Sequence, residues 1–366
     1  MRTKALISLA ALLTLLAGSA CTRQDPLPTG EVTLTFSVGQ PETRANIIPG
    51  VTGPGDGGKI YCVGDTPDLY ILIANSDGSI VARYPDDDPE SGPASSCTVN
   101  AARTEADVTF SGVSVGEYTV YAIANTGDGV WGAPDEDDWD AITTATALEA
   151  LTLNHAVDYD EDGVNDPRPL VTDRMPLSAR GPLTVHATGN GEVSLELLRC
   201  VVGVRVQFEN ATSGKLDLTD VSISIGNINP TQGTLIPPAS GDDVSGTRET
   251  LSMSAASLEI AKGETALLSA STYFVFPSVA PGGTYYCQPV SFSWTQTPPA
   301  SGSSGTGSYT SEAPGLRIHD KKSEDIPALL RNQLITIQIR IANNSDISFN
   351  FIVSDWSEKK ERVWFD

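Results

Sequence analysis

Residues 334–342 read LITIQIRIA, and this stretch decides the fold class. Ile335, Ile337, Ile339 and Ile341 alternate with Thr336, Gln338 and Arg340, which places four isoleucines on one face of an extended strand and polar groups on the other. The same two-residue period recurs along the chain. Val32, Leu34, Phe36 and Val38 show it near the start, then Leu69, Ile71 and Ile73, and then Val193, Leu195 and Leu197. Val202, Val204, Val206 and Phe208 follow, with Val221, Ile223 and Ile225 after them and Phe349, Phe351 and Val353 near the end. Gly, Pro, Asn and Asp separate these runs. Many short alternating strands divided by such turns predict an all-β protein with minor helix, built from antiparallel β-sandwiches. A chain of 366 residues is long enough for two in tandem.

Helical spacing is scarce. Trp139, Ile142, Ala145, Leu148 and Leu151 recur at roughly that period and predict a helix over 136–153, with acidic residues at its start. A second short helix is expected at 326–330. Residues 85–96 and 297–308 read as loops. The step Met175-Pro-Leu-Ser178, followed by Gly181-Pro182, is taken as the break between domains. The expected organisation is a leader over 1–20, a segment 21–44 carrying the first strand, an N-terminal sandwich over 45–183 and a C-terminal sandwich over 184–366.

The N-terminus supports export. Arg2 and Lys4 precede an apolar run from Ala5 to Ala17, then Gly18, Ser19, Ala20 and Cys21. The run is too short to be a stable membrane span and has the form of a secretory leader. Small residues directly before a cysteine resemble a bacterial lipobox. That resemblance implies acylation of Cys21, palmitate included, and a mature chain that begins there. Gly18 departs from the pattern, which usually has Leu at that position, and an ordinary leader with a coincidental cysteine is the alternative. Each buried acyl CH₂ contributes about 0.8 kcal/mol, so two or three chains would hold the protein on a membrane.

The formal charge is −23, and losing Arg2 and Lys4 with the leader makes it more negative still. Such a surface repels phosphate, which argues against nucleic-acid partners and against docking on anionic lipid through a basic patch. After Cys21 four cysteines remain, Cys62, Cys97, Cys200 and Cys287. In an oxidising compartment they permit two disulfides. The pairing Cys62–Cys97 and Cys200–Cys287 keeps each bridge inside one domain; four free buried thiols are the alternative.

Asp158, Asp160, Asp162 and Asp166, with Gly163 between them, match the first half of a calcium loop. Pro169 stands where the bidentate Glu belongs, so calcium would need a remote ligand such as Asp173, and a plain solvated acidic loop is the other reading. No other cofactor is expected. His155, His186 and His319 lie in no nucleophile motif, and no phosphate-binding glycine loop occurs, so no enzymatic activity is expected.

Several segments in order resemble fimbrillins, the lipoprotein pilins of Bacteroidales that build type V pili. These are TLTFSV at 33–38 with ETRA at 42–45, VYAIANTGD at 120–128, MPLSARG at 175–181 and VSLELLRCVVGVRVQF at 193–208. YFVFPS at 273–278, RNQLITIQIRI at 331–341 and VSDW at 353–356 complete the set. Cys200 departs from the resemblance by standing where such strands commonly carry an apolar residue, and the four extra cysteines are not a general family feature. The resemblance implies two transthyretin-like sandwiches and a structural or adhesive subunit of a cell-surface fimbrium. It further implies travel to the outer membrane as a lipoprotein, cleavage after Arg or Lys in the loop after the first strand, and replacement of that strand by one from the next subunit. Carried onto this chain, cleavage falls between Arg44 and Ala45, and Val32, Leu34, Phe36 and Val38 form the strand to be displaced; the alternative is that residues 32–38 stay as an ordinary first strand and Arg44 is left uncut, because anchor subunits of the family keep their lipid. Residues 349–366 are then either a donor strand or the last strand of their own domain. The implied partners are other fimbrial subunits, the outer membrane through the lipid before processing, and a host or bacterial surface ligand. The competing reading is a monomeric outer-membrane lipoprotein that captures glycan or another extracellular ligand.

Overall fold

The computed structural model describes residues 29–38, 59–86, 93, 95–126, 136–154, 156–157, 166–167, 175–186, 191–237, 248–269, 273–302, 305–319, 325–343 and 346–355. Eight main strands build the first half: β1 (Thr29–Val38), β2 (Leu69–Ala74), β3 (Ile80–Tyr84), β4 (Ser95–Val99), β5 (Glu105–Ser114), β6 (Gly116–Ala124), β7 (Leu177–Val185) and β8 (Gly191–Arg199). They are hydrogen-bonded in the order β3-β2-β6-β7-β8-β1-β5-β4. The link between the two groups of four is slight, because β7 and β8 pair only at Leu177–Arg199 and Ser178–Leu198. Both groups turn their apolar faces into one core. Val32, Leu34, Phe36, Val108, Phe110 and Leu197 come from one side, and Ile71, Ile73, Val120, Ala122, Leu177 and Leu183 from the other. This is the expected sandwich.

The second half contains β9 (Val202–Asn210), β10 (Lys215–Pro230), β11 (Arg248–Ile260), β12 (Tyr286–Thr297), β13 (Thr306–Thr310), β14 (Gln333–Asn343) and β15 (Asp346–Asp355). One sheet runs β9-β14-β15, extended by 265–267 and 273–275, which both pair with β9; the other runs β11-β10-β12-β13. The isoleucines of LITIQIRIA lie on β14 and are at most 1% exposed, packed with Phe208, Phe292 and Trp294. Pairing is mostly antiparallel, with two exceptions: β1 runs parallel to β8, and β9 parallel to β14. Parallel neighbours cannot be joined by a tight hairpin, and both pairs unite strands far apart in the chain.

The change of sheet falls at Cys200–Val201, later than the division expected at 183/184. Gly181-Pro182 lies inside β7 and is no break. The proline is tolerated because β7 pairs with β8 only near its start, leaving that edge open at Pro182. The glycine leaves room for Leu195, whose Cδ2 lies 2.4 Å from where a Cβ would stand, so a larger residue here would make that leucine shift.

The helix expected over 136–153 is broken. A 3₁₀ turn, Glu136–Ala141, is followed by α1 (Ala145–Glu149) and then by the strand Thr152–Asn154. Thr144 is extended, and its hydroxyl accepts from the Ala147 amide at 3.2 Å, so a fresh helix starts there. Trp139, Ile142, Ala145 and Leu148 nonetheless enter one apolar cluster, on the outer face of β2 and β6, with Leu235, Phe274 and Phe276 of the second half. Thr152–Asn154 pairs with Gln232–Thr234, tying the halves together. The short helix expected at 326–330 is not formed: Ala328–Leu329 pairs with Ser278–Val279. Pro327 disfavours a helical residue before it, and its carbonyl accepts from the Ala280 amide. Residues 346–355 form the last strand of their own sheet, paired with β14.

Asn125 closes the first sandwich. It has φ of 65°, which Asn tolerates better than most residues. Its side chain is fully buried, accepts from the Tyr61 amide at 2.8 Å, and donates to Lys59 O and Met175 O at 2.8 and 2.9 Å. Asn125→Ala should cost about 3 kcal/mol in urea unfolding, through three lost bonds and a strained backbone. A cost below about 1 kcal/mol would show that the junction does not depend on this side chain. Burial holds the Tyr285 hydroxyl and the Cys287 thiol neutral, each pushed up to about 12. Groups raised in the folded state contribute stability that is complete below their ordinary values and is lost as pH climbs toward the folded ones. The melting temperature should therefore fall steeply from about pH 10 to 12, and Tyr285→Phe should flatten that fall.

Candidate functional site: the slot filled by the first strand

The place that β1 occupies is the candidate site. β1 is an interior strand with a neighbour on each side. Toward β5 it is antiparallel, with pairs from Thr29–Ser114 to Ser37–Glu105 and a bulge at Gly30/Glu31. Toward β8 it is parallel, from Val32–Gly191 to Val38–Leu197. Both ladders are needed to satisfy its amides and carbonyls. Removing β1 would leave β5 and β8 each with a row of unpaired backbone groups facing a gap.

The side chains keep the period of the sequence. Val32, Leu34 and Phe36 are 0% exposed and lie in the sandwich core. Thr33 and Thr35 face the other way and are half-buried, and the Thr35 hydroxyl donates to Asp107 Oδ1 at 2.7 Å. Burying each apolar side chain contributes roughly 1.5–3 kcal/mol. Opposite them on β5 stand Phe110, Val108 and Ala106; beside them on β8 stand Gly191, Val193 and Leu195. A Cβ on Gly191 would meet Thr184 O at 3.1 Å, Leu183 Cδ1 at 3.4 Å and Val32 Cγ2 at 3.5 Å, so the wall here is already closed. Sequence reasoning found β1 but missed these lining residues. The alternation Ala106, Val108, Phe110 was available, yet a period of two gives a face and never a neighbour.

The remaining expected residues separate. Val38 continues the β1 ladder. Cys21, Arg44 and Ala45 lie outside the described residues, as do Asp158, Asp160 and Asp162. The backbone of Asp166 pairs with Val157. Among the described residues no cluster of acidic, His or Cys side chains is placed to hold a metal. Among them, too, no helix is long and apolar enough to cross a membrane.

No disulfide joins Cys62, Cys97, Cys200 and Cys287 in this structure. The expected Cys200–Cys287 bridge is not formed. Cys200 is buried where β7 and β8 meet, 3.4 Å from Ser178 Oγ and from Leu235 O, whereas Cys287 is buried in the core of the second sandwich. The expected Cys62–Cys97 bridge is likewise not formed. Cys97 lies on the edge strand β4, and burial raises its thiol to about 11 against a hydrogen bond from Tyr84 that lowers it; nearby Cys62 raises it further.

Trp139 stacks on Tyr70 at 4.6 Å and is 4% exposed, and Trp294 is 2% exposed. Both rings are used in packing and present no platform for a sugar.

Known proteins share this architecture. Residues 65–361 match the family model described as fimbrillin-A associated anchor proteins Mfa1 and Mfa2. Among solved structures, the chain is similar to a protein of Parabacteroides distasonis described as a cell adhesion protein. The TM-score is 0.55 at 11% identity, over 92% of this chain and 100% of that one. It is also similar to the tip fimbrial protein Mfa3 of Porphyromonas gingivalis with a C-terminal truncation, with a TM-score of 0.46, 11% identity, and 89% and 100% covered. A third similar structure is a fimbrilin (FimA) of Porphyromonas gingivalis, with a TM-score of 0.44, 12% identity, and 89% and 97% covered. No curated protein sequence matches. The first of these structures shows a shared fold, and the family model runs through both sandwiches, from ahead of β2 to beyond β15: this chain belongs to the family of fimbrillin-A associated anchor proteins.

Proposed function

We propose that the chain is a subunit of a cell-surface fimbrium, exported as an outer-membrane lipoprotein on Cys21 and assembled by strand exchange after proteolysis at Arg44. One observation carries the reading. An N-terminal strand fills the interior of its sheet between two strands that come much later in the chain. Family membership supplies the biological setting. Cleavage between Arg44 and Ala45 would sever the covalent link between β1 and the rest of the fold. β1 would then be held by its two ladders, its buried side chains and the Thr35–Asp107 hydrogen bond, with no covalent tie.

An emptied slot has a strong chemical demand for a new strand. Two exposed ladder edges and an opened apolar core are costly in water, and an extended segment from a neighbouring subunit relieves both at once. Before cleavage the same slot is filled from within, which keeps the precursor folded and closed to partners. The acyl chains would retain it at the outer membrane during that stage. In this role the protein assembles and adheres, and it carries out no catalytic step.

Two measurements test the reading. In the intact chain, Phe36→Ala should cost about 3–5 kcal/mol in urea unfolding; a cost under about 1 kcal/mol would mean that β1 contributes little to the core. Mild trypsin on the full exported chain should cut after Arg44 by mass spectrometry. The cut protein should then exchange β1 for a labelled peptide of residues 29–38 and form SDS-resistant ladders, and Arg44→Gln should abolish both. A trypsin-resistant monomer that takes up no peptide would sink the proposal.

A further inference from the structure

We infer that the slot discriminates among incoming strands by the order of their side-chain sizes. It accepts an extended segment of a neighbouring subunit whose alternate apolar residues grow from β-branched through aliphatic to aromatic, in the direction β1 runs. This deepens the strand-exchange reading and rests on it.

The register of β1 against β5 sets the size order. Along β1 the buried residues enlarge in the order Val32, Leu34, Phe36. Along β5, directly opposite, they shrink in the order Phe110, Val108, Ala106. Large therefore faces small at both ends, and the middle pair is matched. The Phe36 ring occupies room that only a methyl group, that of Ala106, leaves on β5. Val32 faces the bulkiest residue of that row. Phe110 bounds it on one side, and the Gly191 wall bounds it on the other, where Leu183 and Thr184 already reach within 3.1–3.4 Å of where a Cβ would stand. All of these residues are fully buried on β1 and β5, so misfits cannot be relieved by turning outward to solvent. Exchanging the two ends would overpack the filled position beside Phe110, at about 1–3 kcal/mol, and would leave a cavity beside Ala106, which adds its own cost.

Direction is fixed by the same pattern. A strand entering in the sense of β1 keeps the parallel pairing to β8 and must present small, then medium, then large. A strand entering in the opposite sense would have to carry the reverse order. The slot thus couples the order of an incoming sequence to its polarity, through the apolar side chains of the core face. This suits a strongly acidic chain, whose subunits repel one another at long range.

The test compares two peptides of identical composition on the trypsin-cut full chain: residues 29–38 as they stand, and the same peptide carrying V32F and F36V. The exchanged peptide should bind at least about tenfold more weakly, and the same double substitution in the intact chain should lower the melting temperature by about 5 °C or more, or prevent folding. Equal binding of the two peptides, or an intact double variant that melts with the wild type, overturns the inference. If the cut protein takes up neither peptide while the intact variant is destabilised, the size order of the slot stands and the exchange reading fails.

Discussion

The double ladder of β1 holds the first sandwich together. β8 is joined to β7 through two residue pairs only, so β8 is held to the rest of its own sheet chiefly through β1. β5 likewise looks to β1 for its inner hydrogen bonds and to β4 on its outer side. A strand supplied by the N-terminus is therefore the keystone between two later parts of the chain. Such a fold is complete only while that strand is present. The free energy concerned is a few buried side chains and two rows of backbone bonds, a large fraction of the marginal stability of a domain this size.

The second half gives the slot a fixed frame. β8 leads through Cys200 and Val201 directly into β9, and the junction is packed with polar groups that hold one another. Arg199, fully buried, donates to Asn332 Oδ1 at 2.9 Å, and the Asn332 amide donates to Val201 O at 3.0 Å. Burial lowers the Arg199 guanidinium to about 10, which leaves it charged at neutral pH. Arg331 reaches Ser178 Oγ at 3.0 Å and Thr234 O at 3.2 Å, linking the β7 corner to the pairing of 152–154 with 232–234. One wall of the slot is thus tied into the second sandwich, so the halves behave as one structural unit.

Several misreadings at the sequence level share a cause. The expected helix over 136–153 had the correct face, since Trp139, Ile142, Ala145 and Leu148 do enter one cluster. The continuity was wrong, because Thr144 caps a new start and Thr152 is drawn into a strand pair with Thr234. Gly181-Pro182 carried a turn signal, yet both residues lie in β7, where the glycine leaves room for a crossing leucine and an open edge admits the proline. The cysteines were even in number, but Cys200 and Cys287 lie in separate clusters. In the helix and at Gly181-Pro182 a local preference was overruled by strand neighbours distant in sequence, and for the cysteines the count carried no information about distance.

The strands and their faces were legible in the sequence. Period-two alternation is a property of adjacent residues, and burial of one face accompanies it, as LITIQIRIA and VTLTFSV both show. The family was legible too, through motifs spread along the chain in a set order. The identity of each strand's neighbours was not, nor was the place of β1 between β5 and β8, nor the shrinking row that its growing side chains meet; these came with the three-dimensional fold. Strand pairing is chosen by the summed fit of ladders and side chains across the whole sheet. That sum is long-range, so no window of sequence contains it.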